Sequence, residues 1–117
     1  MLTIKTGNST NANAAAAGRE VALHVKEDLD NMKMAFVYSG VQYDQKEFID
    51  AISAELPGVP LIGNTSFTGV MTPDGFISSE DGFAGIMAIS DDELTVGVAG
   101  MPKEGTARET GHKVAEK

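Results

Sequence analysis

The chain has no cysteine and no tryptophan, and only two histidines, two tyrosines and four prolines in 117 residues. Without cysteine there is no disulfide framework, no thiolate zinc or iron–sulfur ligation and no cysteine nucleophile. Base is also scarce. Nine Lys and Arg stand against seventeen Asp and Glu, a formal net charge of −8. Phosphate binding needs a basic surface, so nucleic acid is not an expected partner. No apolar run is long enough to cross a bilayer. No basic start leads into an apolar stretch, so no secretory signal is visible and no membrane partner is expected. What is present is enough apolar residue, 42%, to build one folded core. The expectation is a single cytoplasmic domain over residues 1–117.

The acidity is local. Residues 34–102 carry one base, Lys46, against ten acids, whereas residues 1–33 are neutral and residues 103–117 carry one net positive charge. Most of these acids fall on expected turns and on a helix face, where they serve solubility.

Leu2-Thr3-Ile4-Lys5-Thr6 alternates and reads as a short strand. A helix is expected over residues 12–30, with Ala14, Ala17, Gly18, Val21, Ala22, Val25 and Leu29 on one face. Two readings of Gly18 are open: a close backbone approach, most simply to a sheet, or a tolerated glycine costing about 1 kcal/mol of helix propensity. Lys33 to Ser39 reads as a buried strand. A second helix is expected over residues 44–55, with Asp44 as cap, Glu47 three residues on, and Tyr43 and Phe48 in staple positions. Tyr38 and Tyr43 flank the end of the second strand, where two readings are open: core and staple roles, which are the first expectation, or the lining of a pocket at the strand's carboxyl end. Pro57-Gly58 ends the helix and Val59 to Ile62 is a third strand. Beyond Gly63 the pattern changes to strands joined by turns, among them Thr72-Pro73-Asp74-Gly75. Strands near 67–72, 76–79, 83–89 and 94–99 together imply an antiparallel meander. A last helix is expected in residues 103–117.

The two ends of the chain echo each other. Ala14-x-x-x-Gly18-x-x-Val21-Ala22 matches Ala107-x-x-x-Gly111-x-x-Val114-Ala115, and each follows a strand that begins Leu-Thr. Chance recurrence of a short pattern is one reading. The other is a second, similar strand–helix unit whose continuation lies beyond this sequence.

Gly63-Asn64-Thr65-Ser66-Phe67-Thr68-Gly69 is the segment richest in ligand-binding character. It follows a buried strand and offers hydroxyls, an amide and two glycines. It is not a phosphate loop, because no Gly-Lys-Ser/Thr opens a helix, and it is not a nucleophile elbow. A bulge or crossover between strands is the competing reading. His24 and His112 lie on expected helices among charged neighbours, with no nucleophile or orienting partner at local spacing. The acids at 80–81 and 91–93 lack the spaced oxygens of a calcium loop. No metal, cofactor or catalytic residue is therefore expected, and the chain is not expected to be an enzyme.

Met34-Ala-Phe-Val-Tyr-Ser39, the acidic helix ending Leu56-Pro57-Gly58-Val59-Pro60, the run Leu61 to Gly69, Asp81-Gly82 and Gly85 to Ile89 follow one another in an order that resembles the N-terminal part of a FIST domain (F-box and intracellular signal transduction). The Ala-rich first helix fits the same pattern. One departure stands out: Asn64 occupies a loop position where that family often has cysteine. The resemblance implies an intracellular sensory domain that binds a small ligand such as an amino acid. Gly63, Thr65 and Gly69 are the positions that match. It also implies that the chain is shorter than the family's N-terminal region, with a C-terminal FIST half or signalling modules as partners.

These readings combine into an α+β domain, its mixed sheet flanked by two long helices plus a C-terminal one, with an antiparallel meander in its second half. The expected ligand site is Gly63, Asn64, Thr65, Ser66, Thr68 and Gly69. The competing function is a protein-interaction or oligomerisation module without a small ligand, which would make a homodimer the natural partner.

Overall fold

The computed structural model describes residues 1–117. Its elements run β1 (Thr3–Ser9), α1 (Ala14–Lys26), β2 (Met32–Gly40), α2 (Gln45–Glu55), β3 (Leu61–Ser66), β4 (Val70–Thr72), β5 (Gly75–Ile77), β6 (Ala84–Ser90) and α3 (Ala107–Glu116). The main sheet has the order β1-β6-β2-β3. Strands β2 and β3 are parallel, and β6 is antiparallel to both β1 and β2. Strands β1, β2 and β3 therefore share one direction, with β6 running against them. Their carboxyl ends, Ser9, Gly40 and Ser66, lie at one edge of the molecule. The α+β class and the mixed sheet are as expected.

Local chemistry explains the two packed helices. Asn13 caps α1, its side chain accepting from the Ala16 N–H at 2.8 Å. Asp44 caps α2, accepting from the Glu47 N–H at 3.0 Å. The staple is present too: Tyr43 is buried and its ring stacks on Phe48 with centroids 5.7 Å apart. Both helices lie on one face of the sheet. Ala17, Val21 and Val25 of α1 and Phe48 and Ile52 of α2 pack with Ala35, Val37, Ala84, Ile86 and Ala88 from the strands.

Gly18 does allow a close approach, but to a helix and not to the sheet. A Cβ on it would stand 2.5 Å from the Phe48 carbonyl oxygen of α2. The missing side chain sets the distance between the two helices, and the propensity cost of the glycine is offset by that packing. Lys26 reaches Glu55 across the same seam at 3.6 Å.

The second half is antiparallel but not one continuous meander. Strands β4 and β5 form a separate ribbon, closed as expected at Pro73-Asp74 between the paired Thr72 and Gly75. Strand β6 then leaves that ribbon and inserts between β1 and β2. Residues 94–99 form no ladder with any strand. The alternation there is apolar and strand-like, but pairing requires a partner edge, which this segment does not meet. The other face of the sheet carries Ile4, Met34, Phe36, Met87 and Ile89. It is covered only in part, where Val70 of β4 sits 3.3 Å from the place a Cβ on Gly85 would take. No helix is long and apolar enough to cross a membrane.

Candidate functional site

The segment expected to be a ligand loop is half strand. Gly63, Asn64, Thr65 and Ser66 continue β3, pairing with Val37, Tyr38, Ser39 and Gly40. Small polar residues give no periodic apolar signal on an edge strand that is largely exposed, so the sequence alone reads as loop there. The strand conformation has a direct consequence. Successive side chains point to opposite faces, so the expected site residues are divided between two concavities.

On the helix side, Gly63 and Thr65 line a groove of about 250 Å³ between β3 and α2. Its polar groups are largely satisfied internally. Ser39 Oγ donates to Gln45 Oε1 at 2.8 Å, and Gln45 Nε2 donates to the carbonyls of Gly40 and Tyr43 at 3.1 and 3.0 Å. On the open side, Asn64, Thr65, Ser66 and Gly69 surround a hollow of about 340 Å³ together with Tyr38 and the β4 residues Val70 and Met71. That size suits a small molecule. Of the two readings of Tyr38, the pocket one matches its place: it is a partly exposed wall of this hollow and not a core residue, because β2 turns its even-numbered residues to the open face.

The two glycines here have packing reasons of their own. A Cβ on Gly63 would fall 1.7 Å from the Val37 carbonyl oxygen, and one on Gly69 would fall 2.5 Å from the Ile77 carbonyl oxygen. Ser66 donates its hydroxyl to the Gly69 carbonyl, which holds the turn into β4. The Thr68 carbonyl accepts from Ser78 Oγ, and Thr68 does not line the hollow. The side-chain groups free to meet a ligand on the open face are the Asn64 amide and the Tyr38 phenol, since Thr65, paired with Ser39, turns its side chain to the helix side.

Sequence reasoning missed a second polar cluster at the same edge. Ser9 Oγ and Asn11 Nδ2 both donate to the Glu20 carboxylate, the latter at 3.2 Å. These hydrogen bonds hold the Glu20 carboxyl below the usual glutamate range. Tyr43 donates its hydroxyl to the Asn11 carbonyl, and burial pushes that phenol above its usual range. The signal available in sequence was only an Asn/Ser/Thr-rich turn before a helix. The residues that complete the cluster lie 9 and 32 positions beyond Asn11. His24 and His112 are exposed, as expected, and no group of three or more His, Asp or Glu is placed to hold a metal ion.

Fold and geometry together define a small α+β domain. It carries a hollow lined by both polar and apolar residues at the carboxyl end of two parallel strands, where open sheets commonly bind ligands. The family model of the FIST N domain matches residues 33–117, well over half of the chain. The chain belongs to that family, a domain associated with signal transduction. The match takes in the hollow and both candidate concavities, but β1 and α1 precede it. No curated protein matches the chain.

Proposed function

We propose that this domain is the cytoplasmic sensory unit of a signal-transduction protein, and that it binds a small polar ligand, an amino acid being the first candidate, in the hollow beside Tyr38 and Asn64. The observation that carries this reading is the pairing of free polar groups with an apolar wall. Asn64 and Tyr38 supply donors and acceptors, and Val70 and Met71 supply the apolar wall. Met71 is 86% exposed on a short ribbon, so the wall is a part that a ligand could order. The chemistry present is that of binding and not of turnover, since the residues lining the hollow are hydroxyls, an amide and apolar side chains.

The test is a thermal-shift series with the free amino acids, each at millimolar concentration. A ligand at a hundred times its Kd stabilises the native state by about 2.7 kcal/mol. The expected result is a raised Tm with one or a few of them, abolished by Asn64→Ala without loss of the fold. No shift with any amino acid, or a shift that survives Asn64→Ala, would sink the assignment.

A second reading has one observation in its favour. Phe67, Met71 and Phe76 are 86%, 86% and 59% exposed on and beside the β4–β5 ribbon. A cluster of that kind suits a protein-interaction or self-association surface. Concentration-dependent dimerisation lost in Phe67→Ser, with no response to amino acids, would favour it.

A further inference from the structure

The strand registers set two rows of positions across the open face of the sheet. One row is Asn8, Gly85, Tyr38 and Asn64, and the next is Thr6, Met87, Phe36 and Ile62. Neither row holds a charged residue. The first has a gap at Gly85, and the buried Val70 of β4 fills it, 3.3 Å from where a Cβ would stand. That contact seats the β4–β5 ribbon on the sheet, since β4 and β5 form a ladder only with each other. Under the ribbon, toward β1 and β6, lies a recess of about 160 Å³ walled by Thr6, Met71, Pro73 and Met87. The hollow beside Asn64 opens toward β3 instead. The two spaces share Tyr38, Val70 and Met71 as walls, and of these Tyr38 and Met71 have exposed side chains.

We propose that the ligand of this site is an amino acid with a neutral, apolar side chain, which occupies the recess while its amino and carboxyl groups meet Asn64 and Tyr38. The proposal rests on the small-ligand reading above and adds the chemical class of the ligand.

Four observations carry it. The first is size. An apolar void of about 150 Å³ takes a benzene molecule, so the recess suits the side chain of leucine, isoleucine, methionine or phenylalanine, and the indole of tryptophan exceeds it. The second is charge. No residue lining either space is charged, so an ammonium or carboxylate on the ligand's side chain would lose water and gain no partner. The ligand's α-amino and α-carboxyl groups escape that cost, because Asn64 is exposed and leaves them part of their water. The third is reach. Met87 stands diagonal to Tyr38 across the β2–β6 pair, and such diagonal positions are about 7–8 Å apart, a separation that long side chains bridge. A ligand α-carbon over Tyr38 therefore places its polar groups toward Asn64 and its side chain toward Thr6 and Met87. The fourth is adaptability. Met71 and Met87 are unbranched thioethers that repack around different apolar shapes, so the site selects a class of side chain and not a single one.

Isothermal titration of the unmodified chain with leucine, methionine, phenylalanine, alanine, asparagine and lysine tests this. Leucine and asparagine have nearly the same shape and differ in polarity. At least one of leucine, methionine and phenylalanine is expected to bind about tenfold or more tighter than alanine, which leaves the recess empty. Asparagine and lysine are expected to bind at least about tenfold more weakly than leucine. Thr6→Leu, on a half-buried position of an edge strand, fills the recess. It is expected to weaken leucine at least about tenfold and to leave alanine within about twofold, with the Tm of the free protein unchanged. Asparagine or lysine binding as tightly as leucine would overturn the proposal and leave the small-ligand site standing. So would a Thr6→Leu variant that weakens leucine and alanine alike. No binding of any amino acid would remove the site itself and this proposal with it. Should Thr6→Leu fail to fold, the ranking of ligands on the unmodified chain decides alone.

Discussion

Helices α1 and α3 present the same spacing of small and apolar residues: Ala14, Gly18, Val21 and Ala22 in one, Ala107, Gly111, Val114 and Ala115 in the other. In α1 all four are buried, two of them completely inaccessible, whereas α3 has no buried residue at all. Both helices form, because capping and propensity are local matters settled by Asn13 and by the Thr106–Glu109 box. Burial is not local. It depends on whether the strand that precedes the helix has found an edge. Strand β1 pairs with β6 along its whole length and delivers α1 to the sheet, while residues 94–99 deliver α3 only as far as Ile62. A sequence pattern therefore specifies an element and its sticky face, and the topology decides when that face is satisfied.

Matched substitutions sharpen the contrast. Val21 is fully inaccessible, so Val21→Ala removes two buried methyl groups and leaves a cavity, an expected loss of about 2–3 kcal/mol. The equivalent Val114→Ala is expected to move global stability by less than about 0.5 kcal/mol, since that residue lies outside the cooperative core. Urea unfolding of the two variants checks both. A Val114→Ala loss as large as that of Val21→Ala would erase the distinction between the two ends of the chain.

Gly18 gives an effect of the opposite sign to helix propensity. Alanine there raises propensity by about 1 kcal/mol. It also drives a methyl to 2.5 Å from the Phe48 carbonyl oxygen, a backbone atom that yields only if α2 shifts. Overpacking of this kind costs about 1–3 kcal/mol. The expected net result is a destabilisation of about 1 kcal/mol in urea unfolding. A stabilised Gly18→Ala would mean that α1 and α2 are less closely packed than Gly18 implies.

The caps come next in size. Asn13→Ala removes the acceptor for the Ala16 N–H, and Thr106→Ala removes the acceptor for the Glu109 N–H at 3.2 Å. Each change is expected to cost about 1 kcal/mol locally, but the readouts differ. For Asn13→Ala the cost falls on global unfolding, because α1 is part of the core. For Thr106→Ala it falls on helix content and exchange in residues 107–116, with the main unfolding transition unmoved.

The legibility of this chain in its sequence follows the same division. Helix α2 is accurate to one residue because its signals are chemical and local: Asp44, Glu47, the Tyr43–Phe48 staple and Pro57. The turn at Thr72 to Gly75 is legible for the same reason. Helix α1 was expected to run from residue 12 to 30 but spans Ala14–Lys26, because a periodic face continues past the point where the chain turns toward β2. What was not legible depends on pairing across distance. The insertion of β6 between β1 and β2 leaves no mark in the sequence of β6. The exposed polar residues of β3 look like loop until β2 supplies their hydrogen bonds. The candidate site was legible in composition, Asn64 to Ser66, and not in geometry. Whether those side chains share one concavity depends on strand alternation, and Tyr38 enters the hollow only through the register of β2 against β3.

The smallest effect expected concerns acid. Glu20 on α1 and Glu109 on α3 both have carboxyl groups held below the ordinary glutamate value of 4.5, Glu20 by the Ser9 and Asn11 side chains and Glu109 by the Thr106 backbone and hydroxyl. A depressed carboxylate binds its proton less readily in the folded state than in the unfolded one. Its contribution is therefore complete above pH 4.5 and fades as pH falls through the lowered folded value. For Glu20 the partners lie at the end of β1, so the loss is coupled to the sheet and is expected to appear in global stability below pH 4.5. For Glu109 both partners belong to its own helix turn, so acid is expected to lower helix content in residues 107–116 only. Glu20→Gln should remove part of the acid dependence of the main unfolding transition, and Glu109→Gln should leave that transition unchanged. If Glu109→Gln altered the acid dependence of global unfolding as much as Glu20→Gln, α3 would have to belong to the same cooperative unit as α1.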